Sequence, residues 1–337
     1  MMTHKRYSPL PIFKALFLAA LFLSGASYAM AAANSDKFID KEVIVIVGFN
    51  GEAWHPYILS LPEKQKNKKQ GVIKRRHWKK LKSIVDPIGL TRQSGTGDFF
   101  VKDNSGQLIR FAHAEQHFVA LPHQADQIAS QNYTQLRAYD SGLVMVQLLA
   151  GKSRDTQLFN YDTQHNKPLN KNRYTPLIKQ AAAQFHPLID QNFLFYGHVS
   201  CRLACDPVIQ EVWQQNLITG KTEQLTLLNA TSYLHSVDRS KRFGFISSNQ
   251  QGYYHIARLD RASKALVWLT HGQVTDSFPS VSSHGDLFFI RRTPQGTRLM
   301  KLNDASREPA FADDHVLETI VLPEGVKKIR YLELSAQ

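Results

Sequence analysis

Short apolar runs separated by polar, glycine-containing turns dominate this chain, and one arrangement of them repeats at a fixed distance. Val237, Phe245, Ile246 and Gly252 recur as Val281, Phe289, Ile290 and Gly296, and Leu225-Thr226 recurs as Leu269-Thr270, each 44 residues apart. A first strand is predicted to end near Val237 or Val281. A polar turn follows, Asp238-Arg239-Ser240-Lys241 or Ser282-Ser283-His284-Gly285, then an apolar strand over Phe243 to Ser247 or Leu287 to Ile290. A glycine hairpin leads to a third strand, Tyr254 to Leu259 or Arg298 to Leu302, and the earlier unit closes on Leu-Thr. Four short strands recurring every ~40–45 residues are the pattern of propeller blades. One such sheet cannot bury both faces alone; neighbours stacked in a ring bury them and leave only short edges.

Fainter copies lie upstream. Phe99 to Val101 with Leu108 to Phe111, Leu143 to Leu149 with Gln157 to Tyr161, and Phe193 to Tyr196 with Val212 to Leu217 each read as a hairpin. Glu42 to Phe49 is a Val- and Ile-rich buried strand, and Lys328 to Leu334 is one more. Either terminal strand can complete a blade begun at the other end. The fold class expected is all-β: a propeller of six blades, with seven as the alternative, plus one short basic helical insert.

The run Leu269-Thr270-His271-Gly272, Asp276 to Ser282, His284-Gly285-Asp286 and Phe288-Phe289-Ile290 resembles the TolB-like, or PD40, repeat. That blade runs Leu-Thr, a gap, Pro-Ser-x-Ser-x-Asp-Gly, an apolar strand and a glycine hairpin. His284 stands where the family usually has Asp, and Asp238-Arg239-Ser240-Lys241 replaces the Asp-Gly turn in the preceding unit. The resemblance implies a WD40-like propeller and leaves function to be argued from the site. TolB itself carries an α/β domain ahead of its propeller; the residues before the first clear blade here are too few and too basic for one. Peptidases that append a hydrolase domain need chain beyond Gln337.

The domain division expected is a leader over 1–33 and a propeller over 34–337, with a basic insert at 63–85. Lys5, Arg6 and Lys14 precede the apolar run Ala15 to Leu23, and Ala29-Met30-Ala31 or Ala31-Ala32-Ala33 offers a cleavage site. The run has nine residues, against ~20 for a spanning helix, so a cleaved signal peptide is expected over an uncleaved anchor. Export would place the chain in the periplasm, with secretion as the alternative. An oxidising compartment favours a disulfide between Cys201 and Cys205, provided the chain turns between them; two free thiols are the other reading.

The formal net charge of +13 is local. The leader carries +3, and Glu63 to Lys82 carries ten Lys or Arg against one Glu, so the rest of the chain is near +1. Within that segment Ile73, His77, Trp78, Leu81 and Val85 fall at helical spacing, with Asp86-Pro87 as a stop. The candidate binding residues are Lys74, Arg75, Arg76, Trp78, Lys79, Lys80 and Lys82. Three readings remain: a helix docked on the propeller, an interfacial helix on anionic lipid or lipopolysaccharide, or a clamp for an acidic polysaccharide. Nucleic acid fits the charge, but export would remove most access to it.

No nucleophile elbow, phosphate loop or zinc-protease helix occurs. His113 and His117 lack an acidic companion at motif spacing, and His198, His235 and His284 fall near blade turns, where a channel mouth would lie. No metal site and no cofactor are expected. The reading is an exported, non-enzymatic propeller that holds a protein or anionic envelope partner. Its alternative is a polysaccharide lyase or hydrolase working at the channel mouth.

Overall fold

The computed structural model describes residues 42–61, 77–93, 96–103, 108–112, 117–119, 133–139, 142–148, 156–162, 183–200, 208–307 and 317–335, all within the compact unit Lys41–Gln337. The expected leader, the pair Cys201 and Cys205, and Lys74, Arg75 and Arg76 lie outside the described residues.

The strands are β1 (Val43–Phe49), β2 (Trp54–Ser60), β3 (Trp78–Lys80), β4 (Gly89–Arg92), β5 (Phe99–Lys102), β6 (Leu108–Ala112), β7 (His117–Val119), β8 (Tyr133–Tyr139), β9 (Gly142–Leu148) and β10 (Thr156–Asp162). They continue as β11 (Gln184–Asp190), β12 (Phe193–Val199), β13 (Gln210–Asn216), β14 (Thr222–Gln224), β15 (Ser232–Val237), β16 (Phe243–Ser248), β17 (His255–Asp260) and β18 (Leu266–Trp268). The last are β19 (Thr275–Val281), β20 (Leu287–Thr293), β21 (Gly296–Leu302), β22 (Leu317–Ile320) and β23 (Lys328–Ser335).

Among the described residues these form six sheets, five of four strands and one of three. Blade 1 has the order β23-β1-β2-β3, so the last strand lies beside the first. Blades 2 to 6 follow as β4–β7, β8–β10, β11–β14, β15–β18 and β19–β22, each in sequence order. All their ladders are antiparallel.

Six apolar clusters show that the sheets close into a ring. Val43, Val45 and Val47 meet Leu90, Phe99 and Phe111 between blades 1 and 2. Phe100 meets Leu143 and Met145, Val144 and Val146 meet Leu194 and Tyr196, and Phe195 and Val212 meet Leu234 and Ile246, which joins blades 2 to 5. Phe245 and Ile256 meet Phe289 and Met300 between blades 5 and 6. The circuit ends where Ile44, Ile46 and Leu332 of blade 1 meet Phe288 and Ile290 of blade 6. The unbroken apolar run of β1 follows from this. Its odd-numbered residues face one neighbouring blade and its even-numbered residues the other, because successive side chains alternate across a sheet.

The 44-residue repeat has a structural reason. Leu225 and Leu269 are buried just beyond an outer strand, and the following threonines complete a bond to the third strand. Thr226 Oγ1 accepts from the Val212 amide at 2.9 Å, and Thr270 Oγ1 accepts from the Ile256 amide at 2.9 Å. The departures from the Asp-Gly turn are accommodated. Ser282 Oγ accepts from the Asp286 amide at 3.1 Å, His284 is exposed, and Gly285 holds φ +86. Lys241 takes the matching left-handed position at φ 63 and reaches Asp190 at 2.5 Å.

The expected basic helix is corrected here. Trp78–Lys80 is the outer strand of blade 1, with Tyr57↔Lys80, Ile58↔Lys79 and Leu59↔Trp78 in register. Trp78 Nε1 donates to the Val321 carbonyl at 2.9 Å, while Leu81 and Ile84 turn inward and are buried. A strand followed by a turn keeps Leu81 on the core as the helix would, but buries Ile84 in place of Val85, which is 53% exposed, and pairing with β2 decides between them. Lysines suit such an edge because they oppose further strand addition.

Ring closure rests on residues such as Leu332, fully buried in β23 opposite Ile46. Leu332→Ala is expected to cost about 2–5 kcal/mol in denaturant unfolding. Leu227→Ala, at a site 78% exposed, is expected to stay within about 0.5 kcal/mol; equal effects would contradict the closure.

Candidate functional site

The innermost strands of the six blades surround a cavity of about 290 Å³. Every blade contributes: Leu90 from β4, Gln135 and Arg137 from β8, His186 from β11, His235 from β15, Phe278 from β19, and Arg330 with Tyr331 from β23. Ile88, 53% exposed, lines the same cavity, so its rim reaches solvent.

Backbone irregularity supplies much of this lining. The ladder slips between Phe185 and Leu188, between Leu234 and Ser236, and between Ser277 and Ser280. In blade 1 the pairing moves from Val47↔Tyr331 to Gly48↔Ile329, which leaves Arg330 out of register. The residues thus released include His186, His235, Phe278 and Arg330, which line the cavity. His186 and Phe278 also hold positive φ, 52 and 57. A bulge gives up ladder bonds and re-aims a side chain, and such departures concentrate at functional sites.

A belt of contacts at this level runs through all six blades. Thr91 Oγ1 donates to Glu333 Oε1 at 3.1 Å and accepts from the Ala138 amide at 2.8 Å, linking blades 1, 2 and 3. The His186 amide donates to Gln135 Oε1 at 2.6 Å, and the His186 ring stacks on Tyr233 at 4.4 Å. Ser236 Oγ donates to the Pro279 carbonyl at 2.8 Å, His235 meets Phe278 edge-on at 5.2 Å, and Phe278 meets Tyr331 at 5.7 Å.

Arg137 crosses the ring inside this belt. Its Nε lies 3.5 Å from Glu333 Oε1, and its Nη2 donates to the His235 carbonyl at 3.2 Å. It thereby ties together blades 1, 3 and 5. Arg137 Nη1 stands 3.4 Å from His235 Nε2. A guanidinium can only donate, so Nε2 accepts and the imidazole proton sits on Nδ1, 3.5 Å from Ser280 Oγ. Glu333 also accepts from the Tyr331 hydroxyl at 2.6 Å and from the Arg92 amide at 3.3 Å. Its oxygens are occupied by structural partners.

Burial sets the protonation states. It pushes the Tyr331 phenol well above its ordinary range, and the Glu333 charge adds to this. Burial, then the Arg137 charge, hold the His235 imidazole well below its usual value. Burial also lowers His186 to about 4, so both rings are neutral at pH 7.

Of the residues singled out in the sequence, only His235 reaches the axis. His198 lies on β12 against Trp213 at 5.3 Å, His284 is at an exposed turn, and His117 is exposed on β7, while His113 lies outside the described residues. Trp78, Lys79 and Lys80 stand on the outermost strand of blade 1, with Lys82 just beyond it. Lys79 and Lys82 are exposed. The ring topology places this group at the outer edge and the cavity at the inner one. Arg137, His186, Phe278, Arg330 and Tyr331 were not anticipated. The available signal was proline inside a strand, Pro187 and Pro279, which marks a bulge. Among the described residues no three His, Cys, Asp or Glu side chains gather as a metal site.

A closed ring of six antiparallel sheets around an axial cavity defines the class: a β-propeller of TolB-like fold. No family model and no curated protein matches the sequence. TolB from Acinetobacter baumannii superposes with a TM-score of 0.60 at 8% identity, over 88% of this chain and 66% of that one. A putative TolB from Agrobacterium tumefaciens gives 0.52 at 11% identity, over 83% and 88%. A chain of the nidogen/laminin complex gives 0.54 at 9% identity, over 87% and 98%. This chain therefore spans just under two thirds of the Acinetobacter TolB, and at these identities the likeness is one of fold.

The histidines make stability pH-dependent. The unfolded chain binds the His186 proton near pH 6.5 and the folded chain only near 4. The stability conferred by the neutral ring is complete above pH 6.5 and is lost as pH falls from 6.5 to 4. His235 acts with the same sign. His186→Asn suits the left-handed backbone there. It is expected to flatten the slope of unfolding free energy by up to about 1.4 kcal/mol per pH unit; an unchanged slope would show that this ring titrates normally.

Proposed function

We propose that this chain is an exported propeller of the cell envelope that works by binding, holding a protein partner or an anionic envelope component. The observation that carries the reading is the axial cavity. Four blades give up regular pairing to present side chains there, while Glu333 and Arg137 are engaged in holding the wall. That is the economy of a binding surface on a rigid scaffold. Residues 1–33 have the charge and apolar pattern of a leader that is removed on export to the periplasm. The TolB-like fold is in keeping with that location.

The basic segment supplies the second half of the proposal. Lys79 and Lys82 are exposed, and Lys74, Arg75 and Arg76 shortly before them make this a densely basic group along the sequence. Such a group favours lipid headgroups, lipopolysaccharide or acidic polysaccharide, each basic residue near an anionic surface contributing ~1 kcal/mol. Trp78 serves packing instead, since its indole is bonded to Val321 and packed against the cluster of Ile44 and Phe288.

The test is a pull-down from envelope extract with the mature chain beside a variant in which Lys74, Arg75, Arg76, Lys79 and Lys80 are replaced by Gln. Partners captured by the first and lost by the second are expected. Identical capture would remove the basic segment from the binding surface, and no capture by either chain would count against the scaffold reading.

A further inference from the structure

We propose that the axial cavity binds a carboxylate carried on a compact apolar body, a chemistry shared by a free aromatic acid and the C-terminal residue of a peptide. The inference rests on reading the axis as a binding site, and the basic segment at the outer edge of blade 1 plays no part in it.

The apolar half of the site is the wall of Ile88, Leu136, Leu188, Leu234 and Phe278. At about 290 Å³ the space is at the small end of ligand cavities, ~300–1,000 Å³. One ring or branched chain fits this size better than an oligomer. Burying that much apolar surface provides affinity without direction, so the polar groups must set the class of ligand.

Those groups are unbalanced in charge. Among the described residues two guanidiniums line the cavity, Arg137 and Arg330, and no carboxylate does. Arg137 is already matched by Glu333 behind the wall at 3.5 Å. Arg330 is not matched in this way. Its Nη2 donates to the Pro87 carbonyl and its guanidinium lies over the Trp54 ring at 4.5 Å. No carboxylate forms an ion pair with it among the described residues. Asp86, which influences it from a distance, has Oδ1 accepting from the Trp54 amide at 2.8 Å. Half-buried and out of register in β23, Arg330 keeps donors without a described partner at the edge of an apolar space. A buried guanidinium is best satisfied by a carboxylate, whose two oxygens match its fork.

Two neutral groups complete the site. The His186 ring is stacked on Tyr233 and has no described hydrogen bond at its nitrogens. Gln135 uses Oε1 on the His186 amide, which leaves its amide NH₂ as a donor. A phosphate would call for more cations than this cavity holds, and a sugar for many more paired polar groups.

The wild-type chain is titrated by calorimetry with N-acetyl-L-phenylalanine, its neutral amide, and the peptide Ala-Ala-Phe with a free C-terminus. Histidine side-chain NMR follows His186 and His235. Both carboxylates are expected to bind and to shift these two rings, with the amide at least ten-fold weaker. Arg330→Gln is expected to bring the acids down to the level of the amide while leaving pull-down partners of the basic segment unchanged. Tighter binding of Ala-Ala-Phe would identify a peptide terminus as the source, and tighter binding of the acetylated amino acid a free acid; either supports the carboxylate site. Equal binding of acid and amide to the wild type, or no binding up to ~10 mM (weaker than ~3 kcal/mol), would overturn the proposal without bearing on the basic segment.

Discussion

A ring of sheets is stable only if its last strand finds its first, and in this protein that pairing joins residues almost three hundred positions apart. β23 lies against β1 from Val43↔Ser335 to Phe49↔Lys328. β1 in turn buries one face against blade 2 and the other against blade 6. Remove this pairing and two of the six interfaces lose their common member. Blades 2 to 6 are each built from a contiguous stretch and could form as local meanders. Blade 1 is the sheet that converts a row into a ring, at the cost in loop-closure entropy that long-range contacts carry.

Closure also creates the site. The cavity exists because six inner strands converge, and its lining is set by bulges that the outer part of each blade holds in place. Glu333 and Tyr331 sit on the closing strand itself, and through Thr91 and Arg137 they couple it to blades 2 and 3. The polar belt at the axis and the strand pairing at the seam are thus parts of one structure. Breaking a buried ion pair by removing one partner leaves an uncompensated charge. Arg137 therefore gives the axis specificity more than strength: one guanidinium holds the register of every second blade.

The fold was legible because its signals are local or periodic. Leu225-Thr226 and Leu269-Thr270 repeat because each pair performs one hydrogen-bonding task at the end of an outer strand. The Val- and Ile-rich β1 reads as a strand buried on both faces, and it is one. The basic segment misled because Trp78, Leu81 and Val85 fall at helical spacing, whereas the strand and turn bury Leu81 with Ile84 and leave Val85 53% exposed. Only the partner strand β2 and the distant Val321 carbonyl decide between them. The axial residues were hidden for a different reason. Each blade supplies only a few, scattered between 47 and 331, and no local pattern connects Arg137 with His235 or Phe278 with Tyr331. Prolines 187 and 279 inside strands were the trace that bulges leave in a sequence.

Native-state hydrogen exchange tests the central claim, that closure by β23 on β1 holds the ring together, most directly. If it does, amides of Val43 to Val47 and those β23 amides that bond to β1 exchange only through global unfolding. Outer strands such as β3 and β18 should open earlier. Exchange in β1 and β23 as early as in those outer strands would contradict it.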